Sequence, residues 1–150
     1  MELDRRSGHR IPVPAQFGGL VSFAPVGLLG RLKIARDGVV ENLSTEGLNA
    51  FVHGPLRKGN KLWVTFYAEG PLRDVRLSGR VVWAEKEAGG TRVGLRFLSV
   101  PAEATTVIGR WAYDHQVCEA GITFALKNIC KTTCAYWSLC EKSIKIRPAA

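Results

Sequence analysis

Two short runs of this chain combine residue types suited to anions and purine edges. The first is Asp4-Arg5-Arg6-Ser7-Gly8-His9-Arg10, with three arginines within six residues. Arginine offers a rigid planar fork that grips phosphate bidentately, reads the O6/N7 edge of guanine and stacks on purine faces. Read alone, the run is a solvated basic segment. His9 then serves as an exposed spacer, or donates to phosphate when protonated. The second run is Asn42-Leu43-Ser44-Thr45-Glu46-Gly47. Read alone, it is a turn, because Asn and Ser favour turns for backbone reasons and Gly often fills a position with positive φ. A third group lies far away: Cys118, Cys130, Cys134 and Cys140, with gaps of 11, 3 and 5 residues. Four thiolates could hold zinc tetrahedrally, or an iron–sulfur cluster. The spacing is not a paired CxxC ribbon, so buried inert thiols and redox disulfides stay open beside the metal reading.

The elements that must position these groups are mostly short strands. Arg31–Ala35, Leu62–Ala68, Val75–Trp83 and Thr91–Phe97 alternate polar with apolar residues or are rich in β-branched and aromatic ones. Asp37-Gly38, Lys58-Gly59-Asn60, Glu69-Gly70-Pro71 and Gly89-Gly90 punctuate them as turns. Strands at this spacing, with no long crossover helix before residue 100, point to an antiparallel sandwich or small barrel. The period then changes. Pro101 stands near a helix start, and Val107, Ile108, Trp111, Ala112 and His115 recur at helical spacing, which predicts a helix over 102–115. Ile122, Leu126, Ile129, Cys130, Thr133, Cys134 and Trp137 form a second helical stripe. It would place Cys130 and Cys134 on one helix face. Trp83 reads either as barrel core or as an aromatic surface beside a site.

At 150 residues the chain fits one domain with an appendage, and it can bury roughly two-thirds of its unfolded surface without staples. Its charge is 21 Lys+Arg against 13 Asp+Glu, net +8, which favours an anionic partner. The longest uncharged run, Ile11–Gly30, carries three Pro and four Gly residues and suits turns and short strands, not a membrane span. No charged and then apolar opening marks a signal peptide, so a cytoplasmic location is expected. HExxH, Walker-type and GxSxG motifs are absent, and a non-enzymatic role is expected.

Taken together, Arg6-Ser-Gly-His-Arg10 followed by Asn42-Leu-Ser-Thr-Glu-Gly47 resembles the PilZ domain, a bacterial receptor for cyclic di-GMP. Gly79-Arg-Val-Val-Trp83 looks like that family's late strand, and Val93-Gly-Leu-Arg-Phe97 like its closing strand. The resemblance covers residues 4–115 and leaves 116–150 as a Cys-containing helical extension. It implies a mainly β fold: a six-stranded antiparallel PilZ-type barrel with a C-terminal helix and a short helical tail. It also implies a ligand site for cyclic di-GMP made of Arg5, Arg6, Arg10, Asn42, Ser44 and Gly47. In that site the arginines supply forks, Asn42 and Ser44 bond a guanine, and Gly47 keeps a strand bulge open.

Asn42 stands where the family more often has Asp, which removes a charge-assisted contact to guanine N–H groups and weakens binding. The doubled Arg5-Arg6 resembles members that take two intercalated ligands per protomer. The resemblance further implies an adaptor that changes its N-terminal loop on binding and regulates an unidentified protein, with no required cofactor. Two alternatives are a small basic barrel for single-stranded nucleic acid, and a metal- or redox-responsive protein that uses Cys118, Cys130, Cys134 and Cys140.

Overall fold

A computed structural model of the chain describes residues 8–27, 35–127, 129–142 and 145. These residues form seven strands: β1 (Ile11–Pro12), β2 (Val21–Pro25), β3 (Arg36–Leu43), β4 (Gly47–Val52), β5 (Lys61–Phe66), β6 (Arg76–Glu87) and β7 (Gly90–Ser99). The short helix α1 (Ala15–Gly18) lies between β1 and β2, and the long helix α2 (Ala102–Thr123) follows β7. A 3-10 turn at Ala135–Leu139 ends the described structure of the tail. The expected strand over 31–35 falls almost wholly outside the described residues. No helix among the described residues is long and apolar enough to cross a membrane.

All strand pairings are antiparallel, in the order β1-β3-β2-β5-β6-β7-β4, and β4 pairs again with β3. That last pairing closes six strands, β2 to β7, into a barrel. β1 stays outside, on the edge of β3 next to β2. Alternation explains the interior. Leu48, Ala50 and Val52 of β4, Leu62, Val64 and Phe66 of β5, and Val93 and Leu95 of β7 all point inward and are buried. β3 breaks the rule, since Val40 and Leu43 are both buried although they are three residues apart. A bulge between Val40 and Asn42 restores the phase. Glu41, skipped by the ladder to β4, ion-pairs with Arg92, which also donates to Glu87 at 2.8 Å.

One end of the barrel is closed by Phe17 of α1, which stacks on Phe66 at 5.9 Å and meets Trp111 of α2 edge-on at 5.7 Å. Ala104, Ile108 and Ala112 complete the α2 contact face. The helix runs eight residues beyond the expected end at His115. It stops where Ala125 takes a left-handed φ of 52°. Leu126 N–H reaches back to Gly121 O and Ala125 N–H to Ile122 O, both at 3.0 Å, a Schellman-type closure. The second helical stripe therefore does not continue as an α-helix. Residues 124–127 and 129–134 lack regular structure, and among the described residues beyond α2 the 3-10 turn is the one helical element. The turn docks back on the domain: Tyr136 Oη donates to Pro12 O at 2.7 Å, and Ala135 N–H donates to Asp114 Oδ2 at 2.6 Å.

Candidate functional site

Cross-strand partners present their side chains on one face of a sheet. Asn42 of β3 is opposite Asn49 of β4, Asn49 is opposite Gly94 of β7, and Gly94 is opposite Trp83 of β6. Their neighbours Leu43, Leu48 and Leu95 point into the core, so this row lies on the outside of the barrel. Arg10 joins its end: Nη1 donates to Asn42 Oδ1 at 3.0 Å. Trp83 is 39% exposed, which rules out the barrel-interior reading of this residue. A second register shift, between Val81 and Trp83, accompanies this placement. The indole lies across β7 where a Cβ on Gly94 would come within 2.0 Å of Nε1, so only glycine admits the ring there. Asn49 sits mid-row with a buried Oδ1 that has no hydrogen-bond partner. Sequence reading missed Asn49 and Gly94. The signal was an amide between the inward-facing Leu48 and Ala50, which had to point outward.

The hairpin turn between β3 and β4 carries the other expected residues. Ser44 N–H donates to Gly47 O at 2.9 Å, and Ser44 Oγ accepts from the Glu46 and Gly47 N–H groups at 3.2 Å each. The hydroxyl thus shapes the turn, and Ser44 is only 3% exposed. Gly47 is not in the left-handed region, contrary to expectation. Its requirement is close approach: a Cβ there would lie 2.1 Å from Leu95 O. The bulge lies at Glu41, five residues before the turn ends. Gly8 packs on this turn, 3.4 Å from Thr45 Oγ1 at its Cβ position. The structure therefore brings Arg10, Asn42, Ser44 and Gly47 to one end of β3 and β4. Arg5 and Arg6 lie outside the described residues.

His9 is not an exposed spacer. Its Nε2 is 2.7 Å from Nδ1 of His115, which is 6% exposed on α2. His115 Nε2 faces Glu119 at 3.5 Å, so His9 is assigned as the donor and His115 Nδ1 as the acceptor. Glu119 ion-pairs with Lys142, whose Nζ also reaches Cys118 Sγ at 3.5 Å. A polar chain thus runs from the residue beside Arg10 to the cysteine tail. Burial, then the Lys142 charge, hold His115 below the ordinary histidine pKa, against the pull of Glu119. The unfolded chain consequently binds this proton more readily than the folded one. The stability this group contributes is complete above about pH 6.5 and falls as pH drops below it. His115→Gln should flatten the decline in unfolding midpoint between about pH 7 and pH 5. A decline as steep as in wild type would contradict a neutral buried His115.

The four cysteines form no disulfide, are half-buried, and all line one cavity of about 130 Å³. Cys130 and Cys134 are not on a helix, so the shared-face argument for them does not hold. Among the described residues no three His, Cys, Asp or Glu side chains are grouped for a metal ion. Neither the zinc nor the iron–sulfur reading of these cysteines is therefore supported among the described residues.

A PilZ domain model matches residues 4–114. The chain belongs to the PilZ domain family. No curated protein matches the sequence. The PilZ barrel is similar to the Bacillus subtilis inhibitor of motility MotI/DgrA, with TM-score 0.57 and 13% identity over 76% of this chain and 52% of that one. It is also similar to Escherichia coli YcgR in complex with cyclic di-GMP, with TM-score 0.53 and 18% identity over 82% of this chain and 50% of that one. The isolated YcgR PilZ domain with cyclic di-GMP gives TM-score 0.51 and 17% identity, over 81% of this chain and 98% of that one. The chain spans about half the length of MotI/DgrA and of full YcgR. At these identities the likeness concerns the PilZ fold.

Proposed function

We propose that this protein is a cyclic di-GMP receptor. The observation that carries the reading is the Arg10–Asn42 bond at the head of the outer row that continues through Asn49 to Trp83. The ligand has two guanines and two phosphodiesters, and the row offers a complementary group for each. Arg10, joined by Arg5 and Arg6, supplies cationic forks for phosphate and the guanine O6/N7 edge. Asn42 supplies an amide for a guanine edge, and Asn49 an unpartnered acceptor in the same row. The exposed Trp83 offers a ring face for stacking. Ser44 and Gly47 act by fixing the turn that holds Asn42 in register. Binding pins the arginine-bearing segment against the barrel and remakes the surface that a partner protein reads.

Two ligands bind per chain in this reading. A stacked pair brings about four negative charges together, and Arg5 adds a third guanidinium against their repulsion. Calorimetric titration well above the dissociation constant tests both levels. Two cyclic di-GMP per chain are expected for wild type, and a ratio moving toward one, with smaller salt dependence, for Arg5→Leu. One ligand per chain in both proteins would remove the pair and keep the receptor. Absence of binding, with a steep salt dependence for single-stranded RNA, would replace the receptor with a nucleic-acid barrel.

A further inference from the structure

We propose that Arg80 and Arg96 form a phosphate clamp on the outside of the barrel, beside the row that runs from Asn42 to Trp83. The proposal rests on the cyclic di-GMP reading above and adds two ligand-binding residues to it, on β6 and β7. Arg80 is opposite Arg96, Lys61 of β5 is opposite Arg80, and Gly47 of β4 is opposite Arg96. Their neighbours Leu62, Val81, Leu95 and Leu48 are buried, so this second row also faces outward, and its three cations are exposed. On β4 and on β7 the two rows are two residues apart, as in Gly94 and Arg96, which is about 7 Å along a strand.

Like charges placed directly opposite on one sheet face repel and cost stability. Lys61, Arg80 and Arg96 follow one another across three strands, and among the described residues none of them is in an ion pair. β7 itself supplies the contrast. Arg92 and Arg96 flank Gly94, two residues away on either side. Arg92 is held by Glu41 and Glu87, whereas Arg96 pairs across the ladder with another arginine. Glu46, next to the end of the row, leans on Gly8, its Cγ 3.7 Å from that glycine's Cβ position. The repulsion in this row is relieved by an anion that comes from outside the chain.

Position selects the phosphodiesters of the same ligand as that anion. The Trp83 indole lies across β7 at Gly94, and a guanine stacked on it brings its sugar–phosphate ring within reach of the next outward residue, Arg96. A guanidinium meets a phosphate bidentately. Phe97 N–H donates to Glu46 O at 2.8 Å, which ties β7 to the Ser44 turn on which Gly8 packs. The arginine segment thus leads onto the turn that ends the second row. Arg5, Arg6 and Arg10 serve the ligand from that segment, and Arg80 and Arg96 serve it from the barrel wall. Three guanidiniums fall short of the about four negative charges of a stacked pair, and the clamp makes up the difference.

Calorimetric titration of the full chain with cyclic di-GMP tests the clamp. Arg96→Gln is expected to weaken binding about 10-fold, and Arg80→Gln with Arg96→Gln about 100-fold. Each variant should lose less affinity than wild type when salt is raised. Arg96→Lys should recover most of the affinity, because a phosphate accepts a point charge where a guanine edge needs the fork. Urea midpoints should hold or rise, since the substitutions relieve repulsion. Arg73→Gln, which removes the same charge from an exposed pair with Glu69 on the β5–β6 turn, should bind as wild type. An equal loss in Arg73→Gln would reduce the effect to general attraction and overturn the clamp. Arg96→Lys as weak as Arg96→Gln, or a midpoint that falls together with the affinity, would overturn it too. Wild-type affinity in the double variant beside a weakened Arg10→Ala would remove the clamp and keep the receptor. A wild-type chain that binds no cyclic di-GMP would remove both.

Discussion

Arg10→Ala is expected to weaken cyclic di-GMP binding about 10- to 100-fold, the loss of roughly 1.5–3 kcal/mol carried by a charge-assisted or bidentate guanine contact. The substitution removes the fork and also the 3.0 Å bond that orients the Asn42 amide. Binding should therefore fall by more than a single phosphate contact would explain. Folding should survive, because Arg10 is only half-buried and outside the cluster of core residues. Titration calorimetry on the variant is the check. Wild-type affinity would mean that the Arg10–Asn42 end of the row does not bind the ligand.

Gly47→Val is expected to destabilise the domain by about 3 kcal/mol or more, a large part of the roughly 5–15 kcal/mol that holds a domain of this kind together. A Cβ at that position would lie 2.1 Å from the backbone oxygen of Leu95, and backbone in a closed barrel has no room to retreat. Even alanine should be costly, which separates this cause from β-branching. Ser44→Ala should cost less, about 1–2 kcal/mol, through the two backbone N–H groups that its hydroxyl serves. Urea unfolding reads all three. A Gly47→Val protein with the wild-type midpoint would mean that β4 and β7 do not approach as described.

The barrel strands were legible because their interior faces follow simple alternation, as in Thr91, Val93 and Leu95. The pieces that position the site were harder to read. A bulge at Glu41 inserts one residue into β3 with no glycine or proline to announce it. Without it, Asn42 and Leu43 would exchange faces. The α2 terminus was hidden for a similar reason. Its left-handed residue is Ala125, where glycine or asparagine is the usual signal, and the apolar residues beyond it kept a helical period by chance. The His9–His115 contact joins residues 106 apart, and no local pattern encodes such a pair. Trp83 was ambiguous because its face depends on the register shift after Val81.

Ring closure has a further consequence for how another molecule can dock. The six barrel strands spend most of their edges on one another, and the outlying strand offers two residues, one of them a proline without an N–H. The ladder from β5 reaches Arg80 of β6, so the end of β6 toward Glu87 pairs through its β7 side. Strand-addition binding, and the edge-to-edge aggregation that shares its chemistry, have only short edges to use among the described strands. Side chains offer a reader more: the arginine segment, the outer face of β6 and β7, or the solvent side of α2. Binding can then be tuned one residue at a time without touching the hydrogen-bond ladder that keeps the domain folded.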